Sequence, residues 1–278
     1  MSIQSFRNLH RGPELLLLPN AWDALTARLI ESLGAKAIAT TSAGLAWSRG
    51  YADGNALPED QLLAAIRDIA RVVRVPLTVD IEAGYSDDPA AVARLVARLP
   101  AAGVVGINIE DGEGSPELLC KKIAAVRDGV AHSGADLFIN TRTDVYLRGV
   151  AQGDAAVEEV IRRAGQYRAA GCDGLFVPGV STATAMAAIS AAIEPMSLNI
   201  MAVPNLPSMD TLKTSGVRRL SAGSAIAQAA IGRTRHLASS FLTGSMSELF
   251  EASADYGAMN RLFAAGALQV DTSNLTAL

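Results

Sequence analysis

One pattern recurs along the chain: an Ala-rich amphipathic helical stretch, a small turn often marked by glycine, then a short run of β-branched residues. It is seen in "ESLGAKAIATTS", "PAAGVVGINIED", "RAAGCDGLFVPG" and "KTSGVRRLSAG". Gly34, Gly103, Gly171 and Gly216 fall where a helix needs a left-handed residue to end. "VVRVPLTVDIEAG", "HSGADLFINTRTD" and "IEPMSLNIMA" repeat the unit with other punctuation, and "PELLLLPNAWD" supplies an opening strand. Eight strands are expected near 15–19, 37–42, 76–82, 105–110, 137–143, 174–178, 197–202 and 218–222. Their apolar runs are continuous rather than alternating, which is the habit of parallel strands covered on both faces. Eight such strands with intervening helices imply an α/β fold, a (β/α)₈ TIM-type barrel, with residues 1–278 as a single domain. The rival is an open doubly wound sheet, but no G-x-G-x-x-G follows the first strand. "SMSELFEASADYGAMNRLFAAG" reads as a further C-terminal helical segment, with Ser245 or Ser247 as its N-cap.

Only 19% of the residues are charged and the net charge of −4 is spread along the chain, so no nucleic-acid footprint or basic membrane face is expected. No apolar run reaches the ~18 residues of a spanning helix, and "MSIQSFRNLHRGPE" lacks a signal-peptide core. A cytoplasmic protein is expected. Cys120 and Cys172 have no metal-type spacing and suit a reducing compartment as small buried hydrophobes. His10, His132 and His236 lie away from any strand end and receive no catalytic role.

In a barrel of this kind functional groups gather at the C-terminal ends of the strands. Five strands end on polar residues: "TTSAG", "DIEAG", "NIED", "NTRTD" and "LNIMAVPN". Asp80 and Glu82, two apart, should share one face of their strand, and Glu110 ends the next one. Three carboxylates around one mouth repel unless a divalent cation holds them, and oxygen donors without His or Cys favour Mg²⁺, or Mn²⁺, over Zn²⁺. The alternative is a structural network pairing these acids with Arg142 and lysines. "TTSAGLA" either offers backbone N–H groups to an anionic oxygen or is an ordinary turn in which Thr41 or Ser42 caps a helix. Arg142 either presents its planar fork to a carboxylate or is spent on Asp144 or Asp111. Trp22, Trp47 and Tyr51 are candidates for the mouth, with core packing as the alternative.

The ordered set "PNAWDALTARLIESLGAKAIATTSAG", "YADGNALPEDQ", "VDIEAGYSDDP", "GINIEDG", "NTRTD" and "GLFVPG" resembles the isocitrate lyase/phosphoenolpyruvate mutase superfamily, nearest its 2-methylisocitrate lyase-like branch, over roughly residues 10–225. The resemblance implies a Mg²⁺-dependent barrel that handles α-keto or α-hydroxy acids through an enolate. It assigns metal binding to Asp80, Glu82 and Glu110, and Asp53 in "YADG" to the metal's surroundings. Thr41, Ser42, Ala43 and Gly44 align with the loop that receives the substrate carboxylate, Arg142 with the arginine that binds and polarises the substrate, and Asn199 with a polar, substrate-binding residue at the end of the seventh strand. On this basis Arg142 and Asp53 are the expected catalytic residues. It also implies a homodimer or homotetramer with C-terminal helices, from about residue 240, exchanged between subunits; residues 246–264 would serve.

Two departures stand out. Glu82 replaces a usual aspartate, and the Lys-Lys-Cys-Gly-His-type gating loop is missing: "EDGEGSPELLCKKIAAVRD" instead runs into a helix from Glu117 to Arg127, with Ser115 as N-cap and Pro116 at its first position. Cys120 and Lys121 are only superficial remnants of that loop. The expected activity is a Mg²⁺-dependent lyase cleaving a C–C bond of a small keto or hydroxy diacid. A phosphonopyruvate or carboxyphosphonate mutase-like enzyme and a catalytically weak α-keto acid binding protein are the alternatives.

Overall fold

The computed structural model describes residues 2–264. A helix precedes the first strand: α1 (Ile3–Arg11) starts on Ser2, whose side chain accepts the Ser5 N–H at 3.1 Å. The strands then alternate with helices in chain order: β1 (Leu16–Leu18), β2 (Asn20–Ala21), α2 (Ala24–Ser32), β3 (Ile38–Thr40), α3 (Ser42–Ser48) and α4 (Glu59–Val72). Next come β4 (Leu77–Asp80), α5 (Pro89–Ala97), β5 (Val104–Glu110), α6 (Pro116–His132), β6 (Phe138–Arg142) and α7 (Gly153–Ala170). The last part holds β7 (Gly174–Phe176), α8 (Ala183–Ile193), β8 (Ser197–Met201), α9 (Met209–Thr214), β9 (Val217–Ser221), α10 (Ala225–Leu242) and α11 (Tyr256–Ala264).

The nine strands form one parallel sheet in the order β1-β9-β8-β7-β6-β5-β4-β3-β2. The expected first strand is a single stave in two pieces, because Pro19 between β1 and β2 has no N–H to give. Its carbonyls still bridge both sides: Leu18 O accepts from Ala222 and Pro19 O from Ala39. β1 pairs with β9 and β2 with β3, so the sheet closes and eight staves surround a lumen. Closure rules out the open doubly wound alternative.

The turns follow the sequence signals. Asp23 forms a capping box with Thr26, Asp88 accepts from Ala90 and Ala91, and Ser115 caps α6 with Pro116 at its first position. α6 runs to His132, five residues past the expected end. Gly171, at φ +106°, ends α7 in the left-handed conformation anticipated for it. The C-terminal expectation needs correction: residues 247–250 form only a 3₁₀ turn, and α11 begins at Tyr256, where Asp255 Oδ1 accepts the Ala258 N–H at 2.6 Å. Ser245 and Ser247 cap no α-helix.

Most buried apolar side chains lie between sheet and helices. A second cluster fills the lumen's N-terminal end, where Phe6 of α1 meets Leu16, Leu18, Ala39 and Phe138. His10 stacks on Phe138 with ring centroids 4.3 Å apart. Arg7 fastens this plug through Asp173 and, at 2.9 Å, Asp136, while Arg127 holds the other Asp173 oxygen at 2.6 Å.

The opposite is true of α10, which buries only Ala227 and exposes Ile226, Ile231, Phe241 and Leu242. Beside its start lies an apolar groove of about 900 Å³ where Leu17 is 55% and Leu33 80% exposed. α11 returns to α2, where Arg28 Nε donates to Leu262 O at 3.3 Å.

Gly106 makes room for the plug: a Cβ there would sit 2.9 Å from Phe6 Cε1, 3.0 Å from Thr78 Oγ1 and 3.2 Å from the Phe138 carbonyl. Gly106→Ala should lower stability by about 1–3 kcal/mol through overpacking, read as a drop in the urea midpoint; an unchanged midpoint would show that α1 does not seal the lumen.

Candidate active site

The strand-end residues meet at the C-terminal mouth. β4 stops at Asp80, whose N–H is held by Thr40 Oγ1 at 2.9 Å and whose Oδ1 accepts the Glu82 N–H at 3.1 Å. The expectation that Asp80 and Glu82 share a strand face fails. Glu82 lies beyond the strand with φ +52°, a left-handed turn of the backbone. Its carboxylate is redirected: Oε2 accepts the N–H groups of Gly54, at 2.8 Å, and Asn55. Glu82 thereby ties the "YADG" loop to the end of β4, and exposed Asp53 adds its charge beside both acids. Lys122 of α6, itself buried, fixes the same turn by donating to Ala83 O at 2.9 Å.

On the neighbouring strands, Arg142 Nη1 contacts Glu110 Oε2 at 2.7 Å, while Nε and Nη2 take the two oxygens of Asp144 at 2.6 and 3.0 Å. The pairing alternative for Arg142 holds: Asp144 takes its fork, and Glu110 takes its remaining nitrogen. Asp111 underlies this arrangement. Fully enclosed, it accepts from the Asp144 N–H at 2.9 Å, Thr143 Oγ1 at 2.8 Å, Arg163 Nη1 at 2.8 Å and Tyr167 Oη at 2.6 Å. Sequence reasoning had given Asp111 only as a partner for Arg142; its real partners Arg163 and Tyr167 come from α7, with no local signal to reveal them.

Thr41 precedes α3 without a side-chain cap, so the first-turn N–H groups of Ser42, Ala43 and Gly44 remain uncommitted within the helix. Gly44 permits that turn to pack, since a Cβ would lie 2.8 Å from Thr41 Cγ2 and 2.9 Å from Trp22 Cβ. Asn199 is placed differently from expectation. It is buried in the lumen, accepting from Asn140 at 2.9 Å and donating to Ile200 O at 2.7 Å, and belongs to the floor beneath the mouth. Trp47 and Tyr51 are partly exposed rather than core residues. Of the histidines, His10 is in the plug, and His132 and His236 are exposed. Cys120 rides on α6 with its thiol pushed up by burial, and Cys172 is buried with its thiol pushed up to about 12, chiefly by burial.

Burial is the main cause of every carboxylate shift here. It pushes Glu110 up to about 8 against the pull of Arg142, with Asp80, Asp144 and Glu82 adding to the rise. Asp80 is pushed up to about 6 by burial, opposed by Arg142 and the Glu82 N–H. Glu82 is raised by burial and held back by its backbone N–H donors. Among the described residues no three His, Cys, Asp or Glu side chains already enclose a metal position. The donor chemistry nevertheless fits a hard cation: the acids supply only oxygen, and Glu82 Oε1 is buried without a hydrogen-bond partner. Mg²⁺ retains several waters and needs only one or two carboxylates.

Because Glu110 titrates higher in the folded chain than when unfolded, the folded state binds the extra proton between those values. Its contribution is present below about pH 4 and is lost as pH rises toward 8. In chelator-treated protein the denaturation midpoint should therefore fall between pH 5 and 8, and Glu110→Gln should flatten that slope. An identical slope in the variant would assign the effect elsewhere.

The phosphoenolpyruvate phosphomutase family model matches residues 6–242. An uncharacterised protein of Mycobacterium tuberculosis is 36% identical over 239 residues, 84% of this chain and 87% of that protein. An oxaloacetate decarboxylase of Rhodopseudomonas palustris is 31% identical over 202 residues, 68% of this chain and 67% of that enzyme. The crystal structure of a phosphonopyruvate hydrolase complexed with oxalate and Mg²⁺ superposes with a TM-score of 0.80 at 25% identity, over 95% of each chain. With the closed barrel and its acidic mouth, these matches establish that the chain belongs to the phosphoenolpyruvate phosphomutase family, within the isocitrate lyase/phosphoenolpyruvate mutase superfamily.

Proposed function

We propose that this protein is a Mg²⁺-dependent carbon–carbon lyase that cleaves a small α-keto or α-hydroxy dicarboxylic acid, by decarboxylation or retro-aldol cleavage through an enolate. The observation that carries the reading is the joined acid–arginine mouth: Asp80 at the end of β4, with Glu110 and Asp144 holding Arg142 beside it. Asp80 would hold the cation, with Glu82 Oε1 and Glu110 reaching it directly or through water. Bound there, Mg²⁺ would act as a Lewis acid on the substrate's oxygens.

The substrate carboxylate would be received by the first-turn N–H groups of Ser42, Ala43 and Gly44. Arg142, locked in place by two acids, meets negative charge developing on the carbonyl oxygen without reorganising, the condition under which such stabilisation is largest. In decarboxylation the breaking bond leaves its electrons on the substrate carbon as CO₂ departs, and a proton then has to reach that carbon. α6 stands where lyases of this superfamily carry their gating loop, and Cys120 on it has a raised rather than an activated thiol. Water is the proton source this arrangement supports.

A homo-oligomer, dimer or tetramer, is part of this reading. An 18-residue helix burying one side chain, next to an apolar groove bearing Leu17 and Leu33, suits coverage by the C-terminal helices of a second copy. Light scattering should show an oligomer that Leu17→Asp combined with Leu33→Asp converts to folded monomer; a monomeric wild type would rule this out.

Activity is tested by pyruvate or CO₂ release from oxaloacetate, 2-methylisocitrate, dimethylmalate and phosphonopyruvate, with Mg²⁺ and with EDTA. Turnover should need the metal, and Asp80→Ala should lower kcat/KM by at least about a hundredfold. Metal-dependent binding with no turnover on any of them would leave the binding-protein alternative, and turnover of phosphonopyruvate alone would favour C–P chemistry.

A further inference from the structure

The floor of the mouth contains a charge that the proposed chemistry has not used. Arg219 projects from β9 into the lumen with 0% exposure and donates through Nη2 to Asn108 Oδ1 at 3.1 Å. β9 and β5 are four staves apart in either direction round the barrel, so this side chain spans the lumen. Among the described residues its Nε and Nη1 have no hydrogen-bond partner, and no carboxylate pairs with it. A buried, unpaired guanidinium is costly, and barrel layers at this level are ordinarily filled by branched apolar side chains.

The surroundings dictate where that charge is felt. Beneath it, His10 gives Nδ1 to Phe6 O at 2.9 Å and is driven down to about 3, by burial and then by Arg219, so it is neutral. Around it stand only neutral polar groups: Asn140 bridges Asn108 and Asn199 at 2.9 Å each, and Asn199 donates to Ser221 Oγ at 3.2 Å. Above lies the acidic mouth, and Asp80 is the acid whose charge acts on Arg219. The acids at the plug, Asp136 and Asp173, are taken up by Arg7 and Arg127, which leaves the mouth as the place where the charge of Arg219 acts.

We propose that Arg219 is a positioning residue of the active site: a fixed positive charge under the mouth that weakens the hold of the acids on a divalent cation and strengthens the binding of a dianionic ligand. It touches neither ligand. By repelling the cation it offsets part of the attraction of the crowded carboxylates, and by attracting the dicarboxylate it favours the loaded state over the metal alone. This inference rests on the metal–dicarboxylate reading of the site.

The experiment measures Mn²⁺ affinity by electron paramagnetic resonance, then oxalate affinity of the Mn²⁺-loaded protein by calorimetry, at fixed pH and low salt. For Arg219→Met, Mn²⁺ should bind about five- to tenfold more tightly and oxalate more weakly by a similar factor. Arg219→Lys, which keeps the charge, should stay within about twofold of wild type in both. Opposite shifts are the signature of a lost charge, since a floor that merely collapses weakens both ligands. Should circular dichroism show Arg219→Met unfolded, Arg219→Gln is read by the same criteria. Affinities that fall together, or do not move, overturn the role of Arg219 while leaving the metal site intact. A wild type that binds neither Mn²⁺ nor oxalate overturns the proposed function and this inference with it.

Discussion

The arrangement of the mouth depends on Asp111. A carboxylate cut off from water is tolerated only when its lone pairs are filled, and four donors from two parts of the chain, the end of β6 and α7, do so here. The bonds to Thr143 and Asp144 fix the backbone just past β6. That places Asp144 under Arg142, and Arg142 in turn holds Glu110. The visible groups of the site are thus the exposed end of a chain of contacts whose root is a buried acid gripped by α7. Loss of one donor would leave a buried charge partly unsatisfied, and the fork of Arg142 would lose its alignment.

The second organising influence is crowding of like charge. Asp80, Glu82 and Glu110 are each raised by burial, and neighbouring acids add to the rise. Glu82 finds relief on the N–H groups of Gly54 and Asn55, Glu110 on Arg142, and Asp80 least of all. The acid with the weakest protein partners is the one on which the proposed metal site centres.

Much of the barrel was legible because continuous β-branched runs, glycine stops and a cap such as Ser115 all point to the same elements. The break of the first stave was implicit in Pro19, whose missing N–H marks the gap. The strand-end rule brought Asp80, Glu110, Arg142 and the Thr41–Gly44 turn to one mouth. It erred where local backbone overrode periodicity: alternation carried Glu82 along a strand that had already ended. Asn199 was placed in the pocket when its register puts it in the floor. Asn108, Asn140 and Arg219 lie two residues before Glu110, Arg142 and Ser221, a spacing that marks the inward face. Arginine is so rarely buried that nothing in the sequence singled out Arg219. The roles of Asp111 and Lys122 depend on partners distant in sequence and carried no signal.

Closure through β1 and β9 also orders the chain in time. Of the described strands, the one bearing Leu16–Leu18 is synthesised first, yet its partner Val217–Ser221 emerges last. At ribosomal rates of roughly 5–20 residues per second, that stave waits on the order of 10 s or more for its neighbour. Until then the opening leucines present an unpaired strand edge and the lumen stays unsealed on one side. The first of these strands to be made is therefore among the last to be paired, and the acids of the mouth acquire their final environment only after β9 has left the ribosome.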